Sequence, residues 1–222
     1  MKKILLPIVG IIVAAAAVYG GIYVWKNYKG ALPALRNPSG NITDRLPSSD
    51  DPNLPEAMNQ TDFPLKLPKG FAISVFAKNL PGARVMVIDG QNNMWVSQTG
   101  EGKVVMINKE GEVINVHQNL NKPHGLAVDN NNFLYIAEEN RISKISLSER
   151  DALSKIADLP KGGRHFTRTL AFGPDGRLYV SIGSSCDVCN EKDERLAAIY
   201  SMNKDGSDFK QVAKGLRNSV FF

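Results

Sequence analysis

The sequence predicts an all-β fold, a β-propeller behind an N-terminal transmembrane helix, and three observations carry that expectation. An uncharged apolar run opens the chain, and a proline-rich polar stretch follows it. From about residue 65 onward, three similar blocks succeed one another, each alternating Val, Ile, Tyr and Phe with Asp, Asn and Gly turns. Almost nothing in those blocks has a helical period.

The first element is residues 1–30. No residue from Ile4 to Trp25 is charged, and a helix of that length, roughly 33 Å at about 1.5 Å per residue, spans a bilayer core. Lys2, Lys3, Lys26 and Lys29 flank the run, and Tyr23, Trp25 and Tyr28 stand at its far end as interfacial anchors. A cleaved signal peptide is the competing reading, because Ala15-Ala16-Ala17 satisfies a small-x-small cleavage pattern. Hydrophobicity resumes through Val24, which a short signal does not need, so the expectation is an uncleaved anchor. Either reading puts residue 31 onward across a membrane, in a periplasmic or extracellular compartment. Four of the 27 basic residues and none of the 22 acids lie in this segment, so the formal charge of +5 falls to +1 beyond it. A near-neutral remainder without a Lys/Arg cluster argues against a nucleic-acid partner.

The second element, residues 31–64, reads as an extended tether. Seven of the twelve prolines fall between residues 31 and 68, among Asn, Ser and Asp and without a sustained apolar period.

The third element, residues 65–222, is the repeat. VMVIDGQNNMWVSQ, GLAVDNNNFLYIAE and TLAFGPDGRLYVSI each run apolar strand, polar turn, aromatic-centred strand, placing Trp95, Tyr135 and Tyr179 at spacings of 40 and 44 residues. A third strand follows near Lys103, Arg141 and Ala198. Repeats of about 40 to 45 residues with four short strands are the signature of propeller blades, since one blade cannot bury both its faces alone. A fourth copy begins at Arg217-Asn218-Ser219-Val220. About three blades are therefore present where ring closure takes four to eight, and the chain reads as the N-terminal part of a longer protein.

The last copy is displaced by an insertion that carries the only two cysteines, Cys186 and Cys189. In an exported domain a local disulfide is the first expectation. Haem c attachment requires His after the second Cys, where Asn190 stands, and a structural zinc site needs four ligands where this pair supplies two. No metal site is predicted.

Residues just before each blade's first strand gather at one mouth of a propeller. Here they are Arg84, Pro123-His124, His165 with Arg168, and Arg217-Asn218. Two imidazoles, guanidiniums and an amide suit an anionic, oxygen-rich ligand together with a proton acceptor. The third histidine, His117, alternates outward along a strand and reads as surface. The Asp129-Asn130-Asn131-Asn132 run lacks the Gly and terminal Glu of an EF-hand loop and reads as a turn. No G-x-G-x-x-G, Walker or G-x-S-x-G motif occurs, which removes the usual support for nicotinamide, nucleotide or serine-hydrolase chemistry.

RHFTRTLAFGPDGRLYVSIGSSCDVC, with KGLRNSVFF downstream and KPHGLAVDNNNFLYIAEENRI upstream, resembles the glucose/sorbosone dehydrogenase family over about residues 66–222. The Cys-x-x-Cys insertion points to its sorbosone-dehydrogenase-like branch. The resemblance implies a six-bladed propeller that uses pyrroloquinoline quinone (PQQ) and calcium. It implies that His165 is catalytic, taking a hydroxyl proton from the sugar. Arg217 and Asn218 match the pair that contacts the quinone oxygens, and His124 and Arg84 complete the expected cofactor-binding set. Ser184 stands where relatives carry an Asp that orients the histidine, with Asp187 as its candidate replacement. Calcium ligands are expected in later blades. The implied protein is a membrane-anchored quinoprotein dehydrogenase that oxidises an aldose, sorbosone-like sugar or aldehyde and passes electrons to an extracytoplasmic acceptor. A calcium-dependent, lactonase-like propeller hydrolase and a non-catalytic binding propeller are the competing readings.

Overall fold

Where valine, isoleucine and aromatic residues recur at alternate positions the chain extends, and polar turns fold it back. A computed structural model describes residues 13–23, 53–149, 152–161 and 163–221. It contains one compact unit over Met1–Ile73 and a second over Ser74–Phe222.

In the first unit residues 13–23 are helical and exposed. Eleven residues rise about 16 Å, and among the described residues no helix is long and apolar enough to cross a membrane. The rest of the apolar run Ile4–Trp25 lies outside the described residues, as does most of the expected tether. Strands β1 (Met58–Gln60) and β2 (Ala72–Ser74) pair, with the Met58 amide donating to the Phe71 carbonyl at 3.0 Å. The end of the tether is therefore a strand. Its turn is closed by Asn59, whose amide nitrogen donates to the Phe63 carbonyl at 2.7 Å and whose oxygen accepts from the Thr61 amide at 2.9 Å.

The second unit holds three four-stranded antiparallel meanders. Blade 1 is β3 (Ala83–Ile88), β4 (Met94–Gln98), β5 (Lys103–Ile107) and β6 (Val113–His117). Blade 2 is β7 (Leu126–Val128), β8 (Phe133–Ala137), β9 (Arg141–Ser146) and β10 (Ser154–Asp158). Blade 3 is β11 (Leu170–Phe172), β12 (Leu178–Ile182), β13 (Ala198–Met202) and β14 (Lys210–Lys214). Each aromatic sits at the same point of the register: Trp95 opposite Val87, Tyr135 opposite Ala127, Tyr179 opposite Ala171. The sheets stack face to face. Trp95, Val104, Leu126, Leu134 and Ile136 form the core between blades 1 and 2, and Tyr135, Ala137, Leu170, Leu178 and Val180 the core between blades 2 and 3. Second and third strands are buried, while the outer strands β6, β10 and β14 stay largely open to solvent. Such non-directional burial, worth about 25 cal/mol per Å², holds the blades together.

Antiparallel succession puts the first-to-second and third-to-fourth turns of every blade at one end of the sheets. Five of these turns share one chemistry. The amides of Asp89, Asn108, Asp129, Gly173 and Asn203 donate to the carbonyl four residues on, and the residue three on donates back. That residue is left-handed in every case (Asn92, Gly111, Asn132, Gly176, Gly206; φ from 62° to 88°), as a three-residue hairpin loop ending in a left-handed residue requires. The Asp129 run is thus a turn, its carboxylate accepting from the Asn131 and Phe133 amides at 2.9 and 3.0 Å. Asp89 further accepts from the Trp95 indole at 2.9 Å, tying turn to core.

The opposite end carries the irregular loops, and there His117 departs from expectation. It is half-buried rather than a surface residue, with its Nε2 enclosed, and stands opposite Val104 where the register between β5 and β6 shifts.

Candidate active site

Three segments meet at the loop end of blade 3: 163–169, leading into β11; 183–191, the insertion after β12; and 215–220, after β14. Backbone bonds fasten them. The Arg164 and His165 amides donate to the Ser185 and Ser184 carbonyls at 3.0 and 3.1 Å, and the Ser184 amide donates to the Arg217 carbonyl at 2.9 Å. The approach is so close that a Cβ on Gly183 would lie 2.3 Å from the His165 carbonyl oxygen and 2.9 Å from Asn218 Oδ1. Only glycine fits there, whatever its dihedral angles.

Cys186 and Cys189 are joined as a disulfide, and the tight loop that they close presents Asp187 to the other two segments. Asp187 Oδ1 accepts from His165 Nε2 at 2.9 Å and from Arg217 Nη2 at 2.5 Å, and its Oδ2 pairs with Arg164 Nη1 at 2.8 Å. The Arg217 bond above all, with the His165 bond and the Arg164 charge, holds the Asp187 carboxyl below the usual carboxylate range. An ionised carboxylate only accepts, so the neutral ring of His165 carries its proton on Nε2 and its lone pair on Nδ1. Asp187 thus does, from three residues further along, what Ser184 cannot. Ser184 is buried and its hydroxyl donates to the Cys186 carbonyl at 2.6 Å, shaping the loop.

Asn218 joins this group through its Oδ1, which accepts from the Thr167 hydroxyl at 2.8 Å. His124 belongs to the layer beneath, 1% exposed. Its Nδ1 faces the Arg168 carbonyl at 3.2 Å, and its Nε2 is buried with no hydrogen-bond partner. A Cβ on Gly125 would stand 2.3 Å from that same carbonyl, so blades 2 and 3 touch here through backbone. Burial, with the positive charges of Arg84 and Arg168, holds His124 below the ordinary imidazole value. Arg84 itself is exposed at a bulge in β3 between Ala83 and Val85.

The structure therefore brings His165 and Arg217 together on Asp187, sets Asn218 beside His165 across Gly183, keeps His124 one layer away, and leaves Arg84 on the surface beside it. It also moves Arg168 from the mouth, where its place before β11 put it, into the interior with 0% exposure. Arg164 is the residue that sequence reasoning passed over, its only signal being adjacency to His165. A cavity of about 460 Å³ opens beside the group, lined by Ser184, Asp187, Glu191, Leu216 and Arg217 among others.

Fixed cations already seating a carboxylate, an amide and an imidazole base form a donor set that fits an anionic, carbonyl-rich group such as PQQ. Calcium, which takes six to eight oxygens, finds no matching set among the described residues. The metal-capable grouping there is Cys186, Cys189 and Glu191; its sulfurs are bonded to each other, and the Glu191 carboxylate accepts from the Ser185 amide and hydroxyl, each at 2.7 Å.

A family model described as TrAA12-like matches residues 65–222. No curated protein matches the chain. Among solved structures, the PQQ-bound aldose sugar dehydrogenase of Streptomyces coelicolor is similar at 20% identity and a TM-score of 0.51, over 60% of this chain and 48% of that one. The holo PQQ domain of a pyranose dehydrogenase from Coprinopsis cinerea gives 17% identity and a TM-score of 0.54, over 76% and 43%. A gluconolactonase from Xanthomonas campestris gives 16% and 0.50, over 63% and 49%. These likenesses show a shared fold, of which the chain spans about half the length.

Proposed function

Because the chain belongs to the TrAA12-like family, we propose that the group around Asp187 is part of the active site of a PQQ-dependent sugar oxidoreductase. The observation that carries this reading is the bond between His165 and Asp187 with two arginines beside it. When bound, PQQ supplies a two-electron acceptor for the hydride that leaves the substrate's carbinol carbon. Arg217, Arg164 and Asn218 would hold it, their charges and amide matching carboxylate and quinone oxygens.

His165 takes the hydroxyl proton at Nδ1 as the carbonyl of the product forms. Asp187 fixes the neutral ring as its Nε2–H tautomer, so that Nδ1 carries the lone pair, and stabilises the imidazolium afterwards, as an orienting carboxylate does for any histidine base. Arg217, its guanidinium on Asp187 and its carbonyl on the Ser184 amide, adds a positive charge where negative charge develops on oxygen.

The substrate in this reading is an aldose, sorbosone-like sugar or related aldehyde. The similarity to an aldose sugar dehydrogenase and a pyranose dehydrogenase supports that class. Calcium enters with the same reading, its ligands outside the residues described here. The apolar run Ile4–Trp25 would anchor the propeller outside the cytoplasm, where it hands electrons to an extracytoplasmic acceptor.

The test is PQQ- and calcium-dependent dye reduction with the sugars of this class. His165→Ala should lower turnover by about two orders of magnitude or more with cofactor still bound. Unchanged turnover would overturn the assignment; lactone hydrolysis without PQQ would favour a hydrolase, and sugar binding without either reaction a binding propeller.

A further inference from the structure

We propose that Arg168 is the positioning residue of this mouth, its side chain holding the backbone of His165 and its own carbonyl holding the ring of His124, so that one buried residue aligns both imidazoles. The inference rests on the reading of His165 as the proton acceptor.

The Arg168 guanidinium is wholly enclosed, yet its hydrogen bonds go to carbonyl oxygens. Nε donates to Glu139 at 3.2 Å, Nη2 to Pro160 at 2.8 Å, and Nη1 to His165 at 3.2 Å and Thr167 at 3.0 Å. Those acceptors come from the second-to-third-strand loop of blade 2 and from both ends of the loop that carries His165. A planar fork of five N–H donors serves them all at once; the single ammonium of lysine cannot. Simple cohesion would be met as well by an apolar side chain and paired backbone. A cation adds direction, since each carbonyl must point into the fork. The His165 carbonyl is thus drawn inward, while its amide is held by Ser184 and its ring by Asp187.

The second half of the inference is the Arg168 carbonyl. A carbonyl only accepts, so the His124 nitrogen facing it must be Nδ1–H, which leaves Nε2 as a bare, buried lone pair. The tautomer of His124 is fixed by the residue whose side chain fixes His165. Burial pulls the Arg168 guanidinium down to about 10, so it remains a cation at neutral pH and, together with Arg84, disfavours a second charge on His124.

The experiment records ring-nitrogen NMR spectra of the ¹⁵N-labelled full chain, with three histidines to assign, alongside turnover with added PQQ and calcium. In the wild type His124 should be a pure Nδ1–H tautomer at pH 8. Arg168→Lys, judged folded by circular dichroism, should convert His124 to mixed tautomers, alter the ring-nitrogen signals of His165, and lower kcat about tenfold at unchanged KM with a displaced pH–rate profile. An Nε2–H tautomer in the wild type would overturn the proposal even if the variant failed to fold. So would a folded Arg168→Lys whose histidine spectra match the wild type. Altered spectra in Arg168→Lys alongside full turnover in His165→Ala would uphold the positioning role while removing the proton-acceptor reading, which keeps the two failures apart.

Discussion

Three equivalent carbonyls, those of His124, Arg168 and Ser219, mark the entry to successive blades, and two are bound differently from the third. Ser97 of blade 1 donates its hydroxyl to the His124 carbonyl at 2.8 Å, and Ser181 of blade 3 donates to the Ser219 carbonyl at 2.6 Å. The corresponding residue of blade 2 is Ala137, buried and without a hydroxyl. The carbonyl that it cannot serve, Arg168, takes its bond from the His124 imidazole. The lesson is that a repeat can keep a tie and change its chemistry: at one junction a fixed hydroxyl donor becomes a ring that titrates, and the junction concerned adjoins the candidate catalytic residues.

That contrast can be broken hardest at Arg168. Replacing it by Met leaves four buried carbonyls without donors, and urea unfolding should show a loss of about 3 kcal/mol or more. A loss below about 1 kcal/mol would mean that water already serves those oxygens. The serine ties come next. Ser97→Ala and Ser181→Ala should each cost about 1 kcal/mol, because each removes a donor to a carbonyl and an acceptor for an amide, Val85 in one case and Thr169 in the other. Near-zero values for both would dissolve the difference between the junctions.

The smallest effect is the pH dependence of the histidine tie. Burial holds the folded-state value of His124 below its unfolded value of about 6.5. As pH falls, the unfolded chain therefore binds the proton first, and stability that is complete above about pH 6.5 is lost as the pH drops toward the lowered folded value. The slope from His124 is a fraction of the ~1.4 kcal/mol per pH unit that one proton can contribute. His124→Gln should flatten stability between pH 7 and 5 relative to wild type, leaving the part due to His117, whose value burial also lowers. An unaltered curve would show that His124 titrates equally in both states.

The sequence displays these relationships unevenly. Trp95, Tyr135 and Tyr179 were legible because each repeats one register against one turn, and the turn chemistry is local: an Asp or Asn, then a left-handed Asn or Gly three residues on. His165, Arg217 and Asn218 were legible because they lie in segments whose place before or after a strand is set by the repeat. Asp187 and Arg164 were harder, since the 183–197 insertion has no counterpart in the other blades and its path depends on a disulfide and on three backbone bonds from distant loops. Arg168 was misplaced for a different reason. Its position in the chain is that of a mouth residue, but the carbonyls of Glu139, Pro160, His165 and Thr167 around it turn the guanidinium inward, which no local pattern encodes.

Asp187 has one more consequence. Seated between Arg164 and Arg217, it serves as a resident counter-ion and leaves that trio with one net positive charge instead of two. A free anion reaching the mouth therefore meets an occupied berth, and its arrival is an exchange with a tethered competitor instead of a simple addition. Small mineral anions, with one or two oxygens to offer, gain little from such an exchange, whereas a rigid molecule bearing several carboxylates can displace one arm and keep the rest. Asp187 stands inside the loop closed by the Cys186–Cys189 disulfide, so this counter-ion is tethered to the mouth it neutralises.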